Sequence, residues 1–344
     1  MRTAIWRATL LCTLVVLLQA SEGRQPVQSI SGFASEIERL SEPEGSFDTD
    51  NLISNEAGYL HVIPALVAGG VSGGTYIGVG PDQNFSYIAR IRPTLAYIID
   101  IRRDNLLLHL LFKALFARST TRVEYLSLLT GRAPPTDLDR WRRSTIGQIT
   151  DYVDAQTTAR TRLDGLQRQV RSAVTGFGVP LSPPDLDTID RFHRTFIDAG
   201  LDLRFQSFGR LPQPGYPRFR ALLHATDANG QLWNFLARED DFQFVKSLQA
   251  RDGVIPIVGN VAGTHSMRAL ADTIAMGGGR VSAFYMSNVE TYLNRDGDMA
   301  RFVENADRLP RDGRSVTIRS IFGRDGASTS VVEPFLSRSA GYRR

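Results

Sequence analysis

The chain has 344 residues, of which 42% are hydrophobic and 22% are charged, and it contains a single Cys. The ordinary charged fraction excludes a fully disordered chain, and one Cys excludes an intramolecular disulfide framework or a Cys-rich zinc module. The formal net charge is +4, but no basic run is as long as a polybasic arm, so we expect no nucleic-acid partner.

The first twenty residues have the pattern of a secretory signal peptide. Arg2 and Arg7 form a short positive region, and the stretch from Ala8 to Ala20 carries no charge. That stretch is too short to span a bilayer of about 30 Å, and the small Ala20 suits cleavage. The sequence therefore predicts export, periplasmic or secreted. The alternative is retention as a membrane anchor through residues 1–20, which would then be the chain's one contact with a membrane.

Residues 21–50 are mostly polar, which predicts a linker with a short amphipathic helix near Ala34–Leu40. After Asn51, helical and strand patterns alternate. Helical spacing predicts helices within 51–67 and at 82–92, 104–117 and 264–275. Short β-branched and aromatic runs predict strands at 75–80, 95–100, 253–261, 281–289 and 315–322, with the last at the edge of the sheet.

Two further regions complete the predicted organisation. The segment 220–236 predicts two strands joined by the turn DANG, whereas 118–210 has helical spacing and predicts a mainly helical insertion. The early succession of strand, helix, strand and helix is typical of a βαβ unit. We therefore expect one Rossmann-like α/β domain at 51–335, with a mainly parallel sheet flanked by helices, and a tail at 336–344.

Ligands of open parallel α/β sheets bind beyond the carboxyl ends of the strands, and a Gly-rich turn follows the first predicted strand. Gly78 and Gly80 would let the backbone approach a ligand, while Asp82 and Asn84 lie at the start of the next helix. A helix N-terminus offers free N–H groups to an anion or carboxylate. The turn is not G-x-G-x-x-G, because Gln83 stands in the last position, and a simple strand-to-helix turn is the alternative.

Polar residues also follow the later strands. Asp100 ends the second strand, where the ribose hydroxyls of a nucleoside ligand are accepted. The alternative for this residue is a helix cap or an ion pair with Arg102 or Arg103. Four other residues are predicted to face the same crevice, each with a cap or turn role as its alternative: Asn260, Ser287, Asn288 and Glu290.

The five His residues show no spacing typical of metal ligands, so no metal site is predicted. His61 is the one that could reach the predicted crevice. It follows closely on Asn55 and Glu56, in the triplet SNE.

Four longer motifs carry a resemblance: LISNEAGYL, GGTYIGVGPDQNFSYIARIRPTLAYIIDIRRDN, WNFLAREDDF and VSAFYMSNVETYL. They resemble an uncharacterised bacterial protein family whose core is similar to class I S-adenosylmethionine-dependent methyltransferases. The resemblance implies S-adenosylmethionine as cofactor, with Gly78 and Gly80 beside its methionine part and Asp100 on its ribose. It also implies that Asn260 ends the strand that positions the acceptor. No D/N-P-P-Y motif follows the later strand, so an amino-group acceptor is not indicated.

Three functions remain open at this point. The first is a methyltransferase of unknown acceptor, with the helical insertion and the residues after the later strands forming the acceptor pocket. The second is an exported, non-catalytic protein that binds a small molecule or a partner and reuses the fold. The third is a periplasmic enzyme of another class whose acids converge in one cleft, namely Glu56, Glu239, Asp240, Asp241 and Glu290.

Overall fold

A single six-stranded sheet organises the part of the chain that the computed structural model describes, residues 32–49, 51–158, 160–208, 215–323 and 326–335. The side chains of residues 160 and 161 lie outside this description, as do the predicted signal peptide at 1–20 and the predicted tail at 336–344. The strands are β1 Thr75–Gly78, β2 Leu95–Asp100, β3 Val254–Val258, β4 Val281–Ser287, β5 Val316–Phe322 and β6 Ser328–Pro334.

The strand order is β3-β2-β1-β4-β5-β6, and every pairing is parallel except that of β5 with β6. This order is that of doubly wound sheets that bind nucleotides, apart from the reversed last strand. The chain adds strands outward from β1 to one side, through β2 and β3, and then crosses to the other side with β4. The switch point therefore lies between β1 and β4. The predicted α/β class with a mostly parallel sheet is confirmed.

Helices flank the sheet, and their bounds agree with the predicted helices near 34–40, 82–92, 104–117 and 264–275. No helix within the described ranges has both the length and the hydropathy needed to cross a membrane. The helices are α1 Phe33–Leu40, α2 Ile63–Ala68, α3 Gln83–Ile91, α4 Arg103–Arg118, α5 Arg122–Leu129, α6 Leu138–Trp141, α7 Ile146–Ala155, α8 Arg160–Gly176, α9 Pro183–Ala199, α10 Phe219–Leu223, α11 Glu239–Ala250, α12 Ser266–Met276, α13 Val289–Asp296 and α14 Met299–Arg308, with short 3₁₀ helices at Tyr59–Val62 and Gly200–Asp202.

Helix α4 is buried along almost its whole length, which explains why its sequence is apolar on nearly every face. It contacts strands β2 and β3 as well as several of the surrounding helices. Phe85 of α3 packs edge-on against Phe116 of α4 and against Phe235, with ring centroids 5.3 Å apart in both pairs. Aromatic pairs of this geometry add to the free energy of burial. The aromatic core therefore fixes α3, and with it the turn that precedes α3.

The predicted pair of strands at 220–236 is wrong. Phe219–Leu223 forms helix α10, and only an isolated bridge joins Thr226 to Leu232. The two adjacent Leu residues of the run LLHAT are both buried, as on a helix packed from two sides. A half-buried strand would instead alternate between buried and exposed positions. The predicted turn between the two segments is present.

The predicted edge position of β5 is also wrong, because β6 pairs with it along its whole length, from Val316–Pro334 to Phe322–Ser328. The sequence of β6, STSVVEP, carries polar and charged residues and ends in Pro. Such a composition suits an exposed edge and is weak as a strand signal. The hairpin therefore moves the edge of the sheet to β6.

Candidate functional site

A cavity of about 220 Å³ lies at the carboxyl ends of β1, β2, β3 and β4. We call it the first cavity. Its position is the crevice at the switch point, where open α/β sheets bind their ligands. The structure brings together here five of the nine residues predicted for the site, from four strand ends: Gly80, Asp100, Asn260, Ser287 and Asn288.

The turn after β1 is held from beneath by the buried side chain of Asn84. Its Nδ2 donates hydrogen bonds to the carbonyl oxygens of Val79 at 2.9 Å, Gly80 at 3.2 Å and Pro81 at 2.8 Å. Its Oδ1 accepts a hydrogen bond from the Tyr76 hydroxyl at 2.7 Å. The structure thus places Asn84 under the turn and outside the cavity wall, where it shapes the turn without lining the site.

Gly78 and Gly80 of this turn are each required to be glycine, but for different structural reasons. Gly80 has a φ of +81°, which side chains rarely adopt, and it lines the cavity. Gly78 does not line it, and a Cβ there would collide with the Asn84 carboxamide and lie 2.8 Å from the Tyr76 ring. His109 supports the same turn: burial lowers its pKa to about 4. Its neutral Nε2–H therefore donates to the Gly80 carbonyl oxygen at 2.9 Å.

Asp82 lies outside the cavity wall although the sequence places it in the predicted loop. Its side chain is 7% exposed and makes no capping bond to α3. Burial raises the pKa of Asp82 to about 7, and its charge contributes to the raised pKa values of Tyr59 and Tyr125. The structure therefore makes Asp82 a buried acid that titrates near neutral pH beneath the site.

Asp100 lines the first cavity and forms an ion pair with Arg102, which was the alternative predicted for it. Arg102 donates to Asp100 through the backbone N–H at 3.0 Å, Nε at 3.0 Å and an Nη at 2.8 Å. A second Nη of Arg102 donates to the Thr49 carbonyl oxygen at 3.0 Å. A carboxylate has about four acceptor positions, so Asp100 keeps one for a ligand hydroxyl.

The segment that follows α1 lies across the carboxyl ends of β2 and β3. The backbone N–H of Glu42 donates to the Val258 carbonyl oxygen at 2.9 Å, and its Oε1 accepts from the backbone N–H of Asn260 at 2.6 Å. The Oδ1 of Asn260 accepts from the backbone N–H of Ala262 at 2.9 Å. Part of the predicted linker therefore orders the site and adds Phe47 to the cavity wall.

A buried carboxyl group, Glu56, lies in the wall of the first cavity beside the end of β4. It is 1% exposed, and its two carboxyl oxygens accept hydrogen bonds from the hydroxyls of Ser287 and Ser320. Burial raises the pKa of Glu56, while the Ser287, Ser320 and Tyr285 hydroxyls act in the opposite direction. Ser287 itself has a φ of +53°, a strained conformation for a residue with a side chain.

Glu290 and His61 do not line the first cavity. Glu290 lies in the first turn of α13, where its Oε2 is 2.6 Å from the Nε of Arg319. Burial raises the pKa of Glu290, and the positive charge of Arg319 opposes that shift. The structure therefore places Glu290 in an ion pair beside β5. His61 is exposed on the 3₁₀ helix that precedes α2.

The five acids proposed for an enzyme of another class do not converge, so that prediction is wrong. Only Glu56 lines the first cavity. Glu239 pairs with Arg122 and Arg142, and it lines a separate cavity near α7 and α11. Asp241 pairs with a different side chain, that of Arg90. The described residues also contain no group of three or more His, Cys, Asp or Glu suited to a metal ion.

Acidic side chains outnumber basic ones in the wall of the first cavity. Arg102 is paired with Asp100, and Arg295 with Asp296 at 2.8 Å. Glu56 and Asp298 also line the cavity, and no further Arg or Lys does so among the described residues. Asp298 pairs with Arg301, which does not line the cavity, so Glu56 is the one acid of the wall without an ion pair among the described residues.

A second cavity of about 290 Å³ adjoins the first, with six residues lining both. The other lining residues are Thr49, Phe205, Ser207, Tyr216, Phe322, Gly323 and Gly326. The residues common to both cavities are Phe47, Asn51, Asn55, Ser287, Asn288 and Tyr292.

Several lining residues were not among those predicted for the site. Glu56 and Asn51 precede β1, and Tyr292 lies in α13. Glu56 was predicted only as one of the five acids of another enzyme class, and it belongs to the motif LISNEAGYL. Tyr292 belongs to VSAFYMSNVETYL, whereas Asn51 lies outside the quoted motifs. Phe47 also lies outside them, in a polar stretch that resembles a linker.

The sheet order and the cavity at its switch point define a doubly wound α/β fold. The chain belongs to the family described as Domain of unknown function (DUF7790), whose model matches residues 52–159 and 212–340. The matched segments contain all six strands and all nine residues predicted for the site, whereas α8 and α9 fall between them. A search of curated proteins finds no match.

Proposed function

We propose that this protein is an S-adenosylmethionine-dependent methyltransferase that acts on a small-molecule acceptor. One observation carries the proposal: Gly80 and Asp100, at the ends of two adjacent strands, line the same cavity at the switch point. In sheets of this order, that pairing of a glycine turn with an acid accepts a nucleoside.

The residues of the first cavity fit such a cofactor. Gly80 has no side chain to block approach to the turn, and Asp100 keeps one acceptor position for a ribose hydroxyl. Acidic residues outnumber basic ones in the wall, and Glu56 has no ion-pair partner among the described residues. When bound, the cofactor supplies a methyl group on a positively charged sulfur, which such a wall would favour.

The chain's own residues would serve the acceptor. In its ionised form, Glu56 would take the proton that the acceptor loses, with the Ser287 hydroxyl between them. A buried carboxyl group with a raised pKa is a stronger base than an exposed one. Asn260 and Asn288, which also line the cavity, would orient the acceptor. Methyl transfer depends mainly on such alignment.

The ion pair of Asp100 with Arg102 favours a second candidate, a non-catalytic protein that binds another small molecule in the same cavity. In that case the Asp100 carboxylate binds Arg102 and does not bind a ribose. The export that the first twenty residues predict would suit this candidate, because S-adenosylmethionine is a cytoplasmic cofactor. We therefore propose it as the alternative function.

Calorimetric titration of the full chain with S-adenosylmethionine and S-adenosylhomocysteine tests the two candidates. Asp100→Asn and Arg102→Met both break the ion pair, and only the first removes the carboxylate. We expect saturable binding that Asp100→Asn weakens about tenfold or more, a loss of about 1.4 kcal/mol. Arg102→Met should retain most of the binding affinity. Absence of binding at millimolar cofactor would overturn the methyltransferase and leave the alternative.

A further inference from the structure

The second cavity differs from the first in its charge. The first cavity includes Glu56, Asp100 and Arg102 in its wall, whereas no lining residue of the second, among those the structure describes, is charged. A charged group placed there would lose its hydration without gaining an opposite charge, which is costly. The described part of this wall therefore suits a neutral ligand better than an ion.

Five aromatic residues line the second cavity together with polar side chains. Phe47 packs edge-on against Tyr292 with centroids 4.8 Å apart, and Phe205 packs edge-on against Tyr216 at 5.1 Å. Phe322 is a fifth aromatic residue of the wall. Ring faces and edges recognise a planar aromatic ligand by offset stacking and edge-to-face contact.

Hydrogen-bonding groups stand where the two cavities meet. Asn55, Ser287 and Asn288 line both. The Ser287 hydroxyl donates to Glu56 and also lies 3.3 Å from the Asn288 Oδ1. A ligand with a polar group at one end would place that group here and its ring among the aromatic residues.

We propose that the second cavity binds a neutral aromatic hydroxy compound, of the phenol class. Its identity as the methyl acceptor rests on the function proposed above. In that reaction the O–H bond of the phenol breaks and its proton passes to Glu56. The oxygen forms a bond to the methyl carbon as the carbon–sulfur bond of the sulfonium breaks, and the electron pair of that bond stays on sulfur.

Ligand-observed NMR with three matched probes tests the ligand class directly. Phenol is neutral and aromatic, benzoate is aromatic and anionic, and cyclohexanol is neutral and not aromatic. We expect phenol to bind in the millimolar range that suits so small a ligand. Benzoate and cyclohexanol should bind at least about fivefold more weakly. No phenol binding, or equal binding of either analogue, would overturn the proposal.

Two half-buried residues of the wall locate the bound probe. Tyr216→Ala and Phe322→Ala should each weaken phenol binding about fivefold or more. Phe208→Ala and Ile321→Ala are matched controls, because these neighbouring side chains are 60% and 52% exposed, and they should leave binding unchanged. Equal binding by the wall variants and the controls would place phenol elsewhere and contradict the proposal.

A parallel titration with S-adenosylhomocysteine separates the two proposals. Phenol binding without S-adenosylhomocysteine binding would uphold the ligand class of the second cavity and remove the methyltransferase. S-adenosylhomocysteine binding without phenol binding would uphold the methyltransferase cofactor and remove the phenol class.

Discussion

The Ser287 hydroxyl donates a hydrogen bond to the buried Glu56 carboxyl group, joining residues 231 positions apart in the sequence. The contact links the end of β4 to the segment before β1, at the border of the two cavities. Ser287 holds a positive φ there, a strain of about 1–3 kcal/mol that the surrounding structure must offset. An acid in this position is shielded from water and lies in the wall of the first cavity.

Glu56 should remain protonated at a pH where ordinary Glu side chains are ionised, because burial raises its pKa. The infrared band of a protonated carboxyl group should therefore persist above the usual Glu titration range and be reduced in Glu56→Gln. Glu38→Gln replaces an exposed acid and is the matched control. Identical spectra for the wild type and Glu56→Gln would contradict this assignment.

Asp82 should make the protein less stable as the pH rises. Its pKa is raised from 3.8 to about 7, so its contribution is fully present below pH 3.8 and is lost as the pH rises through about 7. The loss has an upper limit of about 4 kcal/mol. In chemical unfolding measured across this pH range, Asp82→Asn should remove the pH-dependent loss of stability. Asp272→Asn, at an exposed position, should leave that loss unchanged. An unchanged pH profile in Asp82→Asn would count against the prediction.

Asn84→Ala should loosen the turn after β1, because the side chain's hydrogen bonds to three carbonyl oxygens are lost and only those of Gly80 and Pro81 keep another donor. We expect a loss of about 2–3 kcal/mol in the free energy of unfolding and weaker binding of S-adenosylhomocysteine. Asn294→Ala, at an exposed position of α13, is the control for both measurements. Full stability in Asn84→Ala would show that the turn holds its shape without this side chain.

Glu290→Gln should change stability and leave ligand binding unchanged, because Glu290 pairs with Arg319 outside the cavity wall. Arg319 keeps a second partner in Glu333 at 2.6 Å. The free energy of unfolding, measured by thermal unfolding, should therefore fall by about 1 kcal/mol. A tenfold loss of S-adenosylhomocysteine affinity in this variant would contradict the prediction and show that Glu290 contributes to the ligand site.

The ends of β1 to β4 could be predicted from the sequence because these strands are short, mostly apolar and buried runs. Their convergence followed from the general rule for open sheets, which brought Gly80, Asp100 and Ser287 to one cavity. The edge strand β6 and helix α10 could not be predicted in this way. The first is polar, and the second is a short apolar segment whose helical form depends on tertiary packing.

The roles of individual side chains were harder to predict than their positions. The Asn84 side chain bonds to its own turn, and three of the roughly four acceptor positions of Asp100 are taken by Arg102. Such local hydrogen bonds leave no mark on composition or spacing. Glu56 reaches the site through a contact with a distant part of the chain. That contact exists only once the sheet has assembled.

A crystal structure of the protein with S-adenosylhomocysteine would test the central proposal most directly. The proposal predicts ligand in the first cavity, with a ribose hydroxyl about 2.7 Å from an Asp100 carboxyl oxygen and the amino-acid part beside Gly80. A first cavity without ligand at saturating concentration, or a ribose directed away from Asp100, would contradict it.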